Sequence, residues 1–326
     1  MEHTISRRGL IGSVAGLSAG VVGASMLGES TLAAVTAPGR RASLRIAHLT
    51  DLHIQPERAA AEGVAACLRH VQAHASKPDL IITGGDTIMD SFEADEARTT
   101  TQWDLWSRVI RAECSLPVLS VVGNHDIWGW NKGKSRTRGS EARWGKKWVC
   151  EQFARDKTYA STERAGWRII LLDSTQVDKD DANGYDAFLD EEQFNWLDGE
   201  LKSAGNTPVL IVSHIPILSV TVFHGIKPDN KGDLKVSGGL MHTDFERLRA
   251  LFAKHRNVKL CLSGHMHLLD RCELDGVTYI CGGAVSGGWW KGNHKTCQPG
   301  YGVTELRDDG TFTYEYLPYG WVAREK

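Results

Sequence analysis

Five short clusters carry side chains able to bind cations. They are Asp51 and His53 in Asp51-Leu52-His53, Asp86 in Gly85-Asp86, the run Gly123-Asn124-His125-Asp126, His214 in Ser213-His214, and His265 and His267 in Gly264-His265-Met266-His267. Taken singly, each reads equally well as a strand-to-loop turn or a solvated loop with an incidental histidine. As a set they offer carboxylate, amide-carbonyl and imidazole donors, which suit manganese, iron, zinc or cobalt without selecting among them. No thiolate belongs to the set, and the 7 cysteines lack the close C-x-x-C pairs of a structural zinc site. Asp51 and His53 are two residues apart, as are His265 and His267, so on an extended segment each pair would present its side chains on one face.

The elements that must position these clusters follow from the hydrophobic pattern. Residues 44–49 read as a strand stopping at Thr50-Asp51, and an Ala-rich amphipathic helix over about 57–75 is closed by Lys77-Pro78. A strand over 79–83 runs into Gly84-Gly85-Asp86, a helix covers about 97–112, and a strand over 117–122 empties into Gly123-Asn124. Further strands are expected at 167–172, 208–212 and 258–262, with helices near 190–203 and 244–255. From Leu269 onward hairpins take over, with Asp275-Gly276 as a two-residue turn between 271–274 and 277–281, and last strands near 302–306 and 311–316. Strand–helix alternation predicts parallel pairing, and ligands gather beyond the carboxyl ends of such strands, where the clusters fall. Parallel α/β units followed by hairpins predict two mixed β-sheets packed face to face with helices outside. That is an α/β, four-layer α/β/β/α sandwich, forming one catalytic domain over 42–326.

The order of the clusters, D-x-H, G-D, G-N-H-D, a strand-end His and G-H-x-H, each after an apolar strand, resembles the calcineurin-like metallophosphoesterases over the whole chain after its first segment. That resemblance implies a dinuclear metal site at the carboxyl ends of the strands. Asp86 would bridge two divalent or mixed-valence ions, Asp51, His53 and His267 would complete one site, and Asn124, His214 and His265 the other. Two cations would neutralise the charge on a phosphoryl group, lower the pKa of a water to give a bridging hydroxide, and hold attacking and leaving oxygens in line. His125 would face the scissile phosphate and either stabilise its charge or protonate the leaving oxygen. In some relatives an aspartate three positions after the bridging one orients that histidine, and in purple acid phosphatases a tyrosine stands there; here the position is Met89. A tyrosinate-bound ferric ion is therefore not expected, and Asp126 or Asp90 could orient His125. The implied activity is hydrolysis of a small phosphate ester: a diester first, since no arginine in the five motifs serves a second phosphate charge, with a phosphomonoester as the alternative. Retention of all seven ligand types argues against a non-catalytic scaffold.

Two long loops, 127–148 with Trp128, Trp130, Trp144 and Trp148, and 223–239, would set the substrate. Lys132, Lys134, Arg136 and Arg138 read either as a solvated face or as a basic rim attracting an anion. The run from Gly282 to Trp290 could bring backbone and two indoles toward the site.

With 38 basic and 40 acidic residues and no long like-charge run, nothing recommends a stable complex with nucleic acid. Ser6-Arg7-Arg8-Gly9-Leu10-Ile11 leads into a Gly/Ala/Ser-diluted apolar run ending near Leu27, followed by small residues. This resembles a twin-arginine signal peptide over 1–34, recognised by the twin-arginine translocation machinery and implying a periplasmic or extracellular mature protein without a transmembrane domain. Because that route carries folded proteins, buried thiols with at most one optional C-terminal bridge are expected of the cysteines.

Overall fold

In the computed structural model, which describes residues 43–181 and 183–324, short apolar strands alternate with amphipathic helices. The expected signal peptide over 1–34 lies outside the described residues. The order is β1 (Ser43–Leu49), α1 (Ala60–Ala73), β2 (Leu80–Thr83), α2 (Glu96–Glu113), β3 (Val118–Ser120), α3 (Lys132–Ser135) and α4 (Lys147–Gln152). There follow β4 (Ala160–Arg164), β5 (Trp167–Leu171), β6 (Thr175–Val177), β7 (Tyr185–Ala187), α5 (Glu191–Ala204), β8 (Val209–Val212) and α6 (Phe245–Lys254). The chain closes with β9 (Val258–Ser263), β10 (Asp270–Leu274), β11 (Val277–Cys281), β12 (Gly300–Arg307) and β13 (Phe312–Pro318). Helix starts are set by acidic caps: Asp95 accepts from the Arg98 amide at 3.0 Å and Asp190 from the Gln193 amide at 2.8 Å.

One sheet has the order β13-β12-β1-β2-β3 and the other β10-β11-β9-β8-β5-β4. β1, β2 and β3 are parallel, as are β5, β8, β9 and β11, and antiparallel strands complete one edge of the first sheet and both edges of the second. The C-terminal hairpins are thus divided: β10–β11 extends the second sheet and β12–β13 the first. Strand alternation builds three apolar layers. Leu44 and Ile46 of β1 meet Leu210 and Val212 of β8 between the sheets. Ala47 and Leu49 of β1 pack outward with Val64, Leu68 and Trp103 of α1 and α2, while Val209 and Ile211 of β8 pack with Leu197 and Leu248 of α5 and α6. This is the four-layer α/β/β/α sandwich expected from the sequence.

Three strands have no counterpart in the sequence expectation. β4 reads Ala-Ser-Thr-Glu-Arg, a polar edge strand, and β6 and β7 span three residues each, forming a two-stranded ribbon apart from both sheets. All seven cysteines are free, so no bridge forms in the C-terminal part. Among the described residues no helix is long and apolar enough to cross a membrane.

A close approach ties α1 to the far end of the chain. Trp290 is fully buried and its indole N–H donates to the His53 carbonyl at 2.9 Å. Gly63 of α1 leaves the space for it, since a Cβ there would fall inside the indole ring. Gly63→Ala is therefore expected to destabilise the protein by about 1–3 kcal/mol through overpacking. Urea unfolding would read this as a lowered midpoint, and an unchanged midpoint would contradict this packing.

Candidate metal centre

The five clusters leave the carboxyl ends of β1, β2, β3, β8 and β9 and meet. Backbone bonds zip the loops together: the Asp51 and His53 amides donate to the Gly85 and Asp86 carbonyls at 3.1 and 2.9 Å, and the Gly264 amide to the His214 carbonyl at 2.9 Å. The ligand-type side chains are themselves clamped. Asp51 accepts from the Thr50 hydroxyl at 2.6 Å and the His265 amide at 2.9 Å, and Asp86 Oδ1 accepts from the His125 amide at 2.9 Å. A Cβ at Gly264 would collide with Thr50 and Asp51, and one at Gly123 with the Asp86 backbone and carboxylate. Glycine in these motifs is thus the condition for backbone to reach the carboxylates.

The extended geometry expected for Asp51–His53 and His265–His267 is not what brings them together. Asp51, His53, Asp86, His265 and His267 have φ of 55°, 45°, 51°, 71° and 53°, in the left-handed region. Each such turn costs a non-glycine residue about 1 kcal/mol or more, and such strain persists where surrounding contacts over-determine it. Here the kinks bend two strand exits so that alternate side chains turn into one space.

Asp51, His53 and His267 form one group and Asp86, His214 and His265 another, each with its donor atoms within 4.8 Å of one another. Asn124 joins the second through Oδ1, 3.1 Å from His214 Nε2. Asp86 Oδ2 lies 3.2 Å from His214 Nε2 and 3.6 Å from His53 Nε2, so one carboxylate oxygen faces both groups. All seven expected residues are therefore brought together.

The donor set fits cations. Nδ1 of His53, His214 and His267 meets the carbonyls of Met89, Gly84 and Gly287 at 3.4, 2.8 and 2.5 Å. A carbonyl only accepts, so each Nδ1 carries the hydrogen and each neutral ring turns the Nε2 lone pair inward. His53 Nε2 and His267 Nε2 then stand 3.1 Å apart, lone pair to lone pair, an arrangement that needs positive charge between them. Electrostatics agree. Burial, followed by the His267 charge against the pull of Asp86, lowers His53 to about 3; burial and the His214 charge lower His265 to about 3. His214 differs: burial pushes it down, but the Asp86 charge and hydrogen bond outweigh it and raise it to about 9, so a cation at Nε2 would take the place of a proton there. Burial opposes ionisation of Asp86, yet His214 and His125 hold it well below the usual carboxylate range.

His125 and Asp126 separate sharply. The His125 ring stands edge-on to His53, 5.1 Å between centroids, and its Nδ1 lies 3.3 Å from Asp90 Oδ1. Burial depresses its basicity, but Asp86 and the Asp90 bond raise it to about 9. Asp126 turns the other way. Fully buried, it accepts from the amides of Thr87, Ile88 and Gly123 at 2.9, 3.3 and 2.9 Å, bracing the loops after β2 and β3 rather than reaching the His125 ring. Of the two carboxylates open in the sequence, Asp90 is the one beside His125. Gln102 of α2 fixes it, accepting from the Asp90 amide at 3.0 Å and donating to its carbonyl at 2.7 Å. A polar residue on the buried face of α2, next to Trp103, was the available signal for Gln102. Met89 contributes its carbonyl, a role that side-chain reasoning does not find.

Trp289 stacks on His267 with centroids 4.3 Å apart, while Trp290 belongs to the core. Trp128, Trp130 and Trp148 are likewise buried core residues. Of the basic residues expected near that loop, Lys134 pairs with Glu93 at 2.7 Å and Lys132 lies over Trp144 at 5.2 Å, so both are engaged in loop packing.

The family model for the calcineurin-like phosphoesterase matches residues 44–269. A probable cyclic nucleotide phosphodiesterase of Synechococcus sp. is 28% identical over 239 residues, 70% of this chain and 75% of that protein. A 3',5'-cyclic-nucleotide phosphodiesterase of Nostoc sp. is 30% identical over 179 residues, 49% of this chain and 56% of that protein. Among solved structures, a dimetal phosphatase from Danio rerio shares the fold with a TM-score of 0.57 at 16% identity, over 86% of this chain and 97% of that one. A purple acid phosphatase from yellow lupin gives a TM-score of 0.57 at 15% identity, over 87% and 52%. The chain belongs to the calcineurin-like phosphoesterase family, phosphoric ester hydrolases that work with a dinuclear metal centre.

Proposed function

We propose that the protein hydrolyses phosphodiesters, with cyclic nucleotides as the leading candidates. The observation that carries this reading is the half-buried His125, held by Asp90 beside two convergent donor groups. The naming of the Synechococcus and Nostoc relatives as cyclic nucleotide phosphodiesterases supports the choice of substrate. Asp51, His53 and His267 would hold one ion, Asn124, His214 and His265 the other, and Asp86 both; manganese, iron, zinc or cobalt would suit the donors. When bound, the two ions supply charge neutralisation and an activated water. The protein's own groups do the rest. Against burial, the Asp86 charge and then the Asp90 bond favour the protonated His125, which is the state a proton donor to a leaving oxygen requires. Gln102 fixes Asp90, and the carbonyls of Met89, Gly84 and Gly287 fix the tautomers of the ligand imidazoles. We also infer export by the twin-arginine route, from Arg7-Arg8 and the diluted apolar run that follows.

Turnover of bis-p-nitrophenyl phosphate is expected to exceed that of p-nitrophenyl phosphate in kcat/KM, and strong preference for the monoester would replace this reading with that of a phosphatase. His125→Ala should lower kcat by about 100- to 10,000-fold while keeping both ions by elemental analysis. Asp86→Ala should lose ions and turnover together; a His125→Ala protein without metal would contradict the division of roles. In a fusion of residues 1–34 to a reporter, replacing Arg7 and Arg8 by lysine should leave the reporter in the cytoplasm, and undiminished export would argue against this route.

A further inference from the structure

Beside His125 opens a cavity of about 620 Å³ whose walls come from three separate places: the segment after β2, the β6–β7 ribbon and the loop around Gly239. Asn124 and His125 line it, so it begins where a leaving oxygen would take its proton. Tyr185 of β7 lends it an aromatic wall. Phe92 holds that ring edge to face at 5.7 Å and His265 flanks it at 6.3 Å. On another side backbone comes close, since a Cβ at Gly239 would stand 3.2 Å from Tyr185 Cε2. The tyrosine hydroxyl has no hydrogen-bond partner among the described residues, and burial followed by the Asp86 charge keeps it protonated and able to donate.

Apart from His125 at its inner end, the charged residues around the cavity are all acidic. Asp90, Glu93 and Asp178 line it, and none of the described lining residues is lysine or arginine. Asp90 is engaged by His125, and Glu93 by Lys134 at 2.7 Å. Among the described residues Asp178 accepts from backbone amides alone, those of Asp180 and Asp181 at 2.7 and 3.3 Å, and pairs with no lysine or arginine. A ligand group bearing further phosphate or carboxylate would meet like charge here, whereas a hydroxyl, an amino group or an ammonium would meet acceptors.

We propose that this cavity receives the leaving alcohol and that Tyr185 and Asp178 set its selectivity, admitting a neutral or cationic alcohol that carries a flat ring and turning away one that carries additional anionic groups. The inference rests on His125 as the proton donor. In the step it serves, the ester P–O bond breaks with its electron pair on the leaving oxygen, His125 protonates that oxygen, and water gives OH to phosphorus and a proton back to His125. The freed alcohol, which in a cyclic nucleotide stays tethered to the phosphate through the ribose, thus lies within reach of the Tyr185 ring, while its phosphate stays with the metal centre.

The test uses metal-loaded enzyme and methyl phosphodiesters of three phenols: 4-nitrophenol, a carboxylated nitrophenol and a trimethylammonio phenol. Ratios of variant to wild type cancel the differing reactivity of the phenols. Tyr185→Ala should raise KM for the aryl leaving groups by about tenfold, the size of one lost stacking contact, with both ions retained. Dimethyl phosphate, whose leaving group has no ring, should show no such rise as a competitive inhibitor. Asp178→Asn should improve kcat/KM for the carboxylated phenol about fivefold relative to the neutral one and lower it for the ammonium phenol. Loss of ions in Tyr185→Ala, equal weakening of dimethyl phosphate, or unchanged charge preference in Asp178→Asn would each overturn the proposal. The same phenols presented as phosphomonoesters carry the same leaving groups. If only monoesters are turned over, the diester reading fails while the selectivity of this pocket is still measured.

Discussion

Imidazole lone pairs held face to face in a buried space repel unless positive charge lies between them, and the rest of the site is arranged around that demand. His53 and His267 meet nitrogen to nitrogen because each has its other nitrogen committed to a carbonyl. Five left-handed turns at ligand positions add conformational cost to the electrostatic one. Both are sustained by the two sheets, whose layered cores fix where five strands end.

The same constraint sorts four chemically identical side chains into two kinds. His214 and His125 stand where the Asp86 charge dominates, and they are drawn toward the protonated form. His53 and His265 are just as buried but have other imidazoles among their nearest charges, and they are pushed toward the neutral form. Of these rings only His125 stands outside the two donor groups, so its proton is the one free to reach a leaving oxygen. His125 differs from the others in having a second carboxylate, Asp90, to itself.

Much of this was legible in the sequence because the ligand motifs sit at strand ends, where hydrophobic period and polar punctuation change together. Asp51, Asp86, Asn124 and His214 each follow an apolar run, and the four-layer fold follows from how those runs alternate with helices. What escaped has physical reasons. The same-face argument for Asp51 and His53 assumed extended backbone, whereas zipped loops hold it left-handed. Asp126 reads as a catalytic neighbour of His125, but three backbone amides claim its carboxylate. Gln102 acts through Asp90 in the loop leading into α2, and Asp90 in turn meets His125, 35 positions along the chain, a contact that no local pattern records. β6 and β7 are too short to show a period at all.

That short ribbon has a consequence for how the protein could change. β6 and β7 pair only with each other, outside both main sheets, and link β5 to α5 on the surface. Residues there can vary in length and type without disturbing the registers that set the ligand-bearing strand ends. On the roles proposed above, catalytic chemistry and substrate choice are written on separable pieces of chain, and a lineage could retune the second by insertion or substitution while inheriting the first intact.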